Sequence, residues 1–517
     1  MQGWHIIRQM IAVVDFGSQY THLIARRIRK FRVPAEIFTP ADNLTKIENL
    51  EGVVLSGGPG SVYEKGTPKL SDTVFGKGVP ILGICYGMQI LAKELGGEVV
   101  KGKSREYGRE SVTLKNKNPL LKSLSEKQTV WLSHGDFVKK LPKKFEKIAH
   151  SISCPIAAFS SIEQNIYAVS FHPEVVHTEN GDKIIKNFVF GICGAKKTWK
   201  IQDLEKSLIK KIRDEVGSKK VLVGVSGGVD SLVTANLLHK AVPENLHAVF
   251  IDSGLLRQNE AEEVEIQYKK RGFKHFTKVD ASNLFLKKLR GVTEPEGKRK
   301  IIGHTFIKVF EDVAKTLGKK EKVHFFVQGT IYPDRIESAA PSKQAVKIKS
   351  HHNLTLPKNM KFKVVEPLAD FYKDEVRELG LQLKLPKEAL FRHPFPGPGL
   401  AVRILGEVTP SRLEILRAAD FIYMEELKKN KLYDKIWQAF AALIPVKTVG
   451  VMGDSRTYQY MISLRAVTSM DGMTADWFKM PVSVLEKISS RIVNEVDGVN
   501  RVVYDITQKP PATIEYE

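Results

Sequence analysis

Short β-branched runs that stop at a glycine or small polar residue, each followed by a stretch of helical spacing, recur along this chain. They restrict its fold more than any other feature. Toward the start lie Ile11-Ala12-Val13-Val14, Gly52-Val53-Val54-Leu55, Pro80-Ile81-Leu82-Gly83-Ile84 and Tyr167-Ala168-Val169-Ser170-Phe171; farther on come Val221-Leu222-Val223-Gly224-Val225, Ala248-Val249-Phe250-Ile251 and Val323-His324-Phe325-Phe326-Val327. Strands alternating with helices predict an α/β protein. At roughly 150 residues per domain, 517 residues predict about three domains. A polar helical stretch from Ile201 to Val216 marks one transition. His393-Pro394-Phe395-Pro396-Gly397-Pro398-Gly399 marks another, because its prolines remove donors and fix φ. The expected boundaries are therefore 1–197, 198–395 and 396–517, the last a smaller α+β block. No internal repeat or low-complexity tract interrupts them.

No apolar run reaches the roughly 18–20 residues that cross a bilayer, and Met1-Gln2-Gly3-Trp4-His5-Ile6-Ile7-Arg8 lacks the features of a secretory leader. No membrane association is expected. Cys85, Cys154 and Cys193 cannot build a disulfide framework, which points to a reducing, cytoplasmic setting. A net charge of +22 raises the question of a nucleic-acid partner. The excess is spread along the chain, often as pairs such as Lys139-Lys140 on polar stretches, which is the pattern of a solvated surface. No nucleic-acid partner is expected.

Gly83-Ile84-Cys85-Tyr86-Gly87 reads as a strand, a tight turn and a helix start. Glycines on either side permit strain, and a helix N-terminus favours a thiolate and offers N–H groups to an oxyanion. Taken alone, Cys85 can equally be a small buried hydrophobe. In Phe171-His172-Pro173-Glu174 the His and Glu face one way if the segment is extended. His172 can then deprotonate Cys85 while Glu174 orients the ring, although either residue alone fits an ordinary surface loop. Ser56-Gly57-Gly58-Pro59-Gly60 is a turn, or a source of a second N–H beside that of Tyr86.

These pieces, with Asp15-Phe16-Gly17-Ser18-Gln19 and Ser133-His134-Gly135-Asp136, resemble the class I glutamine amidotransferase domain over about residues 10–195. The resemblance implies glutamine hydrolysis through a thioester on Cys85, with His172 and Glu174 completing the triad. It further implies an oxyanion hole at Gly58 and Tyr86, and glutamine held by Gln89, Ser133 and His134.

Ser226-Gly227-Gly228-Val229-Asp230-Ser231 follows the strand 221–225 and precedes a helix, the setting of a phosphate cradle. It lacks the Lys of a Walker loop. The serines can donate to a pyrophosphate and Asp230 can hold Mg²⁺. The loop resembles that of the ATP pyrophosphatases, a doubly wound parallel-sheet family that cleaves ATP between its α and β phosphates. The resemblance implies that Ser226 to Ser231, with Phe250, Asp252, Gln328 and Gly329 at the ends of the next strands, bind ATP, with Asp230 as the metal ligand.

With the proline-glycine connector and the ending Lys509-Pro510-Pro511-Ala512-Thr513-Ile514-Glu515, nearly the whole chain resembles the glutamine-hydrolysing GMP synthase family. The resemblance implies a glutaminase domain at 1–197, a synthetase domain at 198–395 and a dimerisation and nucleotide-binding domain at 396–517. The implied substrates are glutamine, ATP and xanthosine 5′-monophosphate (XMP), in a homodimer requiring Mg²⁺. Arg299, Gln438, Asp454, Lys509, Ile514 and Glu515 would contact XMP. The stretch Glu337 to Gln344 reads as a flexible lid leading to Lys349. A tRNA-modifying enzyme fits less well, since Cys154 and Cys193 lie outside the synthetase block. A glutamine-dependent NAD synthetase also fits less well, since its glutaminase uses a Glu-Lys-Cys arrangement not found here.

Overall fold

The computed structural model describes residues 9–18, 20–64, 66–115, 118–175, 177–320, 323–332, 334, 363–452, 455–469, 472, 474–509 and 511–517, with 102–107, 133–134, 202, 318–320 and 452 in backbone only. The described residues up to Lys200 form one compact unit and those from Ile201 onward a second.

The first unit is built on a nine-stranded sheet. Its strands are β1 (Met10–Val14), β2 (Ala35–Phe38), β3 (Leu50–Leu55), β4 (Ile81–Ile84), β5 (Glu98–Leu114), β6 (Lys127–Lys140), β7 (Glu146–His150), β8 (Ala158–Ser161) and β9 (Ile166–Val169). They are ordered β2-β1-β3-β4-β9-β8-β7-β5-β6. The first five positions are parallel, with Val13 opposite Val54, Val54 opposite Leu82 and Ile84 opposite Val169. All residues of β1 and β4 are buried, as a parallel sheet covered on both faces requires. Strands β8, β7, β5 and β6 continue the sheet antiparallel. The repeat of strand and helix gave no sign of this extension, because its members are joined without crossover helices.

The second unit carries a parallel five-stranded sheet of β10 (Lys220–Val225), β11 (Leu246–Asp252), β12 (Phe276–Asp280), β13 (Val323–Val327) and β14 (Lys363–Val365), ordered β12-β11-β10-β13-β14. The order reverses between β10 and β13. In such sheets ligands bind outside the carboxyl ends of the strands at the reversal. A second sheet pairs β15 (Gln438–Met452), β16 (Ser455–Thr468) and β17 (Asp476–Trp477) antiparallel, and β18 (Val499–Asp505) runs parallel to β16. Helices Pro410–Lys429 and Val482–Glu495 cover it. The sequence-based boundary at 395/396 falls inside this unit. One apolar core runs from Leu222, Val249 and Phe326 through Leu400, Ala401 and Ile404 to Leu443, Ile462 and Val499.

Two elbows depend on missing side chains. At Gly87 a Cβ would stand 2.4 Å from the Leu55 carbonyl oxygen, so the helix Tyr86–Glu94 rests on β3 backbone to backbone. At Gly399 φ is +65° and a Cβ would meet the Leu255 carbonyl oxygen at 2.3 Å, where Leu400 N–H also donates to that oxygen. Gly399→Ala should cost about 2 kcal/mol or more, read as a lower urea midpoint for the second unit. An unchanged midpoint would contradict this docking of the connector.

Candidate functional site

Cys85 stands between β4 and the helix Tyr86–Glu94 with φ 53° and ψ −107°, a positive-φ conformation that a non-glycine residue holds only when its surroundings force it. Its N–H donates to the Val169 carbonyl at 2.8 Å, and Gly87 N–H to the Ser56 carbonyl at 3.0 Å, fixing both sides of the turn. The residue is 4% exposed. A Cβ on Gly57 would lie 3.0 Å from His172 Cε1 and 3.6 Å from Cys85 Cβ, so this glycine lets the loop after β3 close over both.

His172 and Glu174 are buried, with Nδ1 and Oε1 2.7 Å apart. His172 N–H donates to the Trp131 carbonyl, and its own carbonyl accepts from Thr178 Oγ1 at 2.5 Å. Burial works against a charged ring. The charges on Glu174 and Cys85, and hydrogen bonds to both, outweigh it and hold the imidazole pKa well above its ordinary value. Tyr20 stacks edge-on against the same ring at 5.2 Å.

Tyr86 opens the helix, where N–H groups have no intrahelical acceptor. A Cβ on Gly58 would sit 3.3 Å from Tyr86 Cγ, so these two residues are neighbours. Gln89 is buried, and its Nε2 donates to the Asp136 carbonyl at 3.1 Å. The helix thereby reaches the stretch of β6 that includes residues 133–136. Ser133 and His134 lie in that strand, opposite Tyr107 and Glu106, and their side chains are outside the described residues.

In the second unit the loop after β10 closes on itself. Ser226 Oγ and Ser231 Oγ are 3.1 Å apart, Gly228 N–H donates to Ser226 Oγ at 3.3 Å, and Ser231 Oγ donates to the Gly228 carbonyl at 3.0 Å. Gly227 takes φ +71° and Gly228 caps the helix Val229–Ala241. A Cβ on Gly329 would stand 3.1 Å from Ser231 N, so the ends of β10 and β13 meet at the reversal of strand order. Gln328 N–H donates to Val365. Phe250 lies within β11 with its ring buried, and Asp252 ends that strand and accepts from Gly254 N–H at 2.9 Å.

Asp230 Oδ2 pairs with Lys373 Nζ at 2.5 Å, while Asp230 Oδ1 is buried with no hydrogen-bond partner among the described residues. Arg392 donates to the Gly227 carbonyl at 2.7 Å and pairs with Glu260. Lys373, Arg392 and Glu260 were not foreseen from the sequence. Each is a single charged residue distant in the chain, and only the folded sheet brings it to the loop.

The C-terminal tail is tied to the same unit by buried cations. Arg403, with its side chain fully buried, grips Glu515 side-on, Nη2 to Oε1 at 2.9 Å and Nε to Oε2 at 3.1 Å. Gln438 Nε2 donates to Glu515 Oε1 at 2.6 Å. Arg299 donates to the Glu517 carbonyl, and the wholly buried Lys298 pairs with the Glu517 carboxylate and donates to Ile404. Ile514 packs with Phe440, Ala442 and Val467. Lys509 Nζ donates to the Gly472 carbonyl at 2.7 Å, and its backbone pairs with that of Ala475, which packs in the same group as Ile514. Gln438, Ile514 and Glu515 are therefore one cluster, and Arg299 is joined to the same tail two residues on. Asp454, Lys349 and the stretch 337–344 lie outside the described residues. Nothing in the sequence assigned Arg403 or Lys298 a partner.

A strained cysteine beside a buried His–Glu pair on one sheet, and a serine-glycine loop at the reversal of another, define a class I glutamine amidotransferase joined to an ATP pyrophosphatase synthetase. Family comparison agrees. The chain matches the glutamine amidotransferase class-I model over residues 12–192, the NAD synthase model over 200–280 and the GMP synthase C terminal domain model over 425–516. It is 53% identical to a GMP synthase (glutamine-hydrolyzing) of Carboxydothermus hydrogenoformans over 511 residues, 98% of this chain and 99% of that one. It is 53% identical to one from Thermotoga maritima, over 98% of this chain and all of that one. Identity to the Aquifex aeolicus protein of that name is 51%, over 99% of this chain and 100% of that one. The chain belongs to the glutamine-hydrolysing GMP synthase family.

Replacing Glu174 by Gln removes the charge that faces the His172 ring. The imidazole pKa should fall toward its ordinary 6.5, measured by carbon-13 NMR of the ring. A titration identical to that of the unaltered protein would show that Glu174 does not set the charge of His172.

Proposed function

We propose that this chain makes GMP from XMP, ATP and glutamine in two chemistries, one in each unit. In the first unit His172 takes the Cys85 proton, and the thiolate attacks the side-chain carbonyl carbon of glutamine. The N–H groups of Gly58 and Tyr86 receive the oxyanion, with Gln89, Ser133 and His134 holding the substrate. His172 then returns its proton to the departing ammonia. Water, deprotonated by the same ring, cleaves the thioester to glutamate. Glu174 keeps Nδ1 protonated and the ring aligned throughout. The observation that carries this half is the buried 2.7 Å His172–Glu174 pair beside a strained Cys85.

In the second unit the loop Ser226–Ser231, flanked by Phe250, Asp252, Gln328 and Gly329, binds ATP. The purine 2-oxygen of XMP attacks the α-phosphorus and pyrophosphate leaves. Ammonia then adds to C2, and AMP departs with the former 2-oxygen. Arg299, Gln438, Asp454, Lys509, Ile514 and Glu515 hold XMP, and Lys349 belongs to a lid. The clustering of Gln438, Ile514 and Glu515 supports this assignment.

The donor set fits Mg²⁺. This ion is commonly held by one or two carboxylates and the phosphates of its nucleotide, and Asp230 carries a buried oxygen without a partner among the described residues. Asp230 would hold the ion, which when bound neutralises charge on the departing pyrophosphate.

The segment 396–517 also serves as a dimerisation surface. In support, Val449, Val451 and Tyr458 are exposed together on the β15–β16 hairpin, Val451 by 74%. The boundaries 1–197, 198–395 and 396–517 are retained as functional divisions. No helix among the described residues is long and apolar enough to cross a membrane, and Cys85, Cys154 and Cys193 are free thiols, in keeping with a cytoplasmic enzyme.

GMP formation from XMP and Mg-ATP, with glutamine or ammonium as nitrogen source, tests both halves. Cys85→Ala should lose glutamine-dependent synthesis by on the order of a thousandfold and keep the ammonium-dependent rate. Asp230→Asn should lose both. A Cys85→Ala protein that still uses glutamine contradicts the first half; failure of the unaltered protein to make GMP from either source contradicts the second.

A further inference from the structure

The purine contact proposed for Glu515 needs a carboxylate held at one angle, and the surroundings of that side chain show what does the holding. Arg403 ends the short helical turn Gly399–Arg403 that follows the proline-glycine connector. Its guanidinium lies 4.3 Å from the Phe440 ring centre and 5.1 Å from that of Phe395. Stacked between rings and fully buried, it has no freedom to follow a moving partner. It meets Glu515 through two parallel hydrogen bonds, the geometry that fixes the plane as well as the position of a carboxylate.

We propose that Arg403 is a positioning residue for XMP recognition: its fork, with Gln438, fills the inner faces of Glu515 and leaves one acceptor direction for a purine N–H. This inference rests on the reading of Glu515 as a nucleotide contact. The hydrogen-bond count supports it. A carboxylate has about four acceptor sites; Arg403 occupies two and Gln438 a third, on Oε1. Among the described residues the remaining site is on Oε2, and Glu515 is still 17% exposed. Lysine in place of Arg403 would keep the charge but neither the fork nor the stacking plane.

The alternative is a clamp that only anchors the tail, and it predicts different kinetics. Steady-state ammonium-dependent synthesis should be measured for Arg403→Lys, Glu515→Gln, their combination and Glu515→Asp, with thermal midpoints for all. Arg403→Lys should raise the KM for XMP about tenfold or more and leave the KM for ATP within about twofold. Added to Glu515→Gln it should raise the KM for XMP by less than about twofold further, because the two act through one contact. Glu515→Asp, which keeps the charge but withdraws it from the fork, should give a similar rise, and it tests the point with Arg403 in place should Arg403→Lys fail to fold.

Additive effects in the double variant, or an unchanged KM in Arg403→Lys or Glu515→Asp, overturn the positioning role while Glu515→Gln still raises the KM for XMP. An unchanged KM in Glu515→Gln instead overturns the reading of Glu515 as a nucleotide contact, and the proposal with it.

Discussion

The close approach of backbone to backbone at the carboxyl ends of parallel strands is the constraint on which both sites depend. A side chain on Gly87 would strike the Leu55 carbonyl, and one on Gly83 would come within 2.7 Å of the Gly87 carbonyl. Without those side chains the helix Tyr86–Glu94 starts directly at the strand end, and the residue in the turn is forced to positive φ. That residue is Cys85. In the second unit Gly329 does the same beside the loop Ser226–Ser231, where a side chain would meet the Asp230 and Ser231 backbone, and so brings the ends of β10 and β13 together. The strained turn at Cys85 is held by the well-packed sheet below it.

Buried charge is the second organising element. The described residues of the tail after Asp505 are irregular chain apart from the pairing of Lys509 with Ala475, and have few backbone hydrogen bonds of their own. Lys298, Arg299 and Arg403 secure its Glu515 and Glu517. Arg465, with its side chain fully buried, binds the Thr507 carbonyl at 2.6 Å and pairs with Asp505 at 3.1 Å. Burying unpaired cations is costly, so these contacts make the tail part of the folded unit rather than an appendage. The same pairing places Glu515 beside Gln438, more than seventy residues earlier in the chain.

Much of this was legible in the sequence. The uninterrupted apolar runs are the strands β1, β3, β4, β10, β11 and β13, because a strand buried on both faces leaves the period-two pattern behind. The elbow around Cys85 and the loop Ser226–Ser231 were legible because glycine and serine at those spacings have few other uses. The antiparallel strands β5 to β8 were not, since no helix separates them. Nor was the common core of residues 201–517: the prolines between His393 and Gly399 stop regular structure, yet Leu400, Ala401 and Ile404 just beyond them are buried in it. Lys373, Arg392 and Arg403 were unreadable as partners for a simpler reason. An ion pair between distant residues leaves no local pattern, and charged side chains are abundant in this chain.

ATP is spent by adenylating the purine 2-oxygen, so that the oxygen leaves with AMP. XMP carrying oxygen-18 at the 2-position, converted with unlabelled ATP and ammonium, tests this directly. One labelled oxygen should appear in the phosphate of AMP and none in pyrophosphate. Label in pyrophosphate or in free phosphate, with none in AMP, would contradict it.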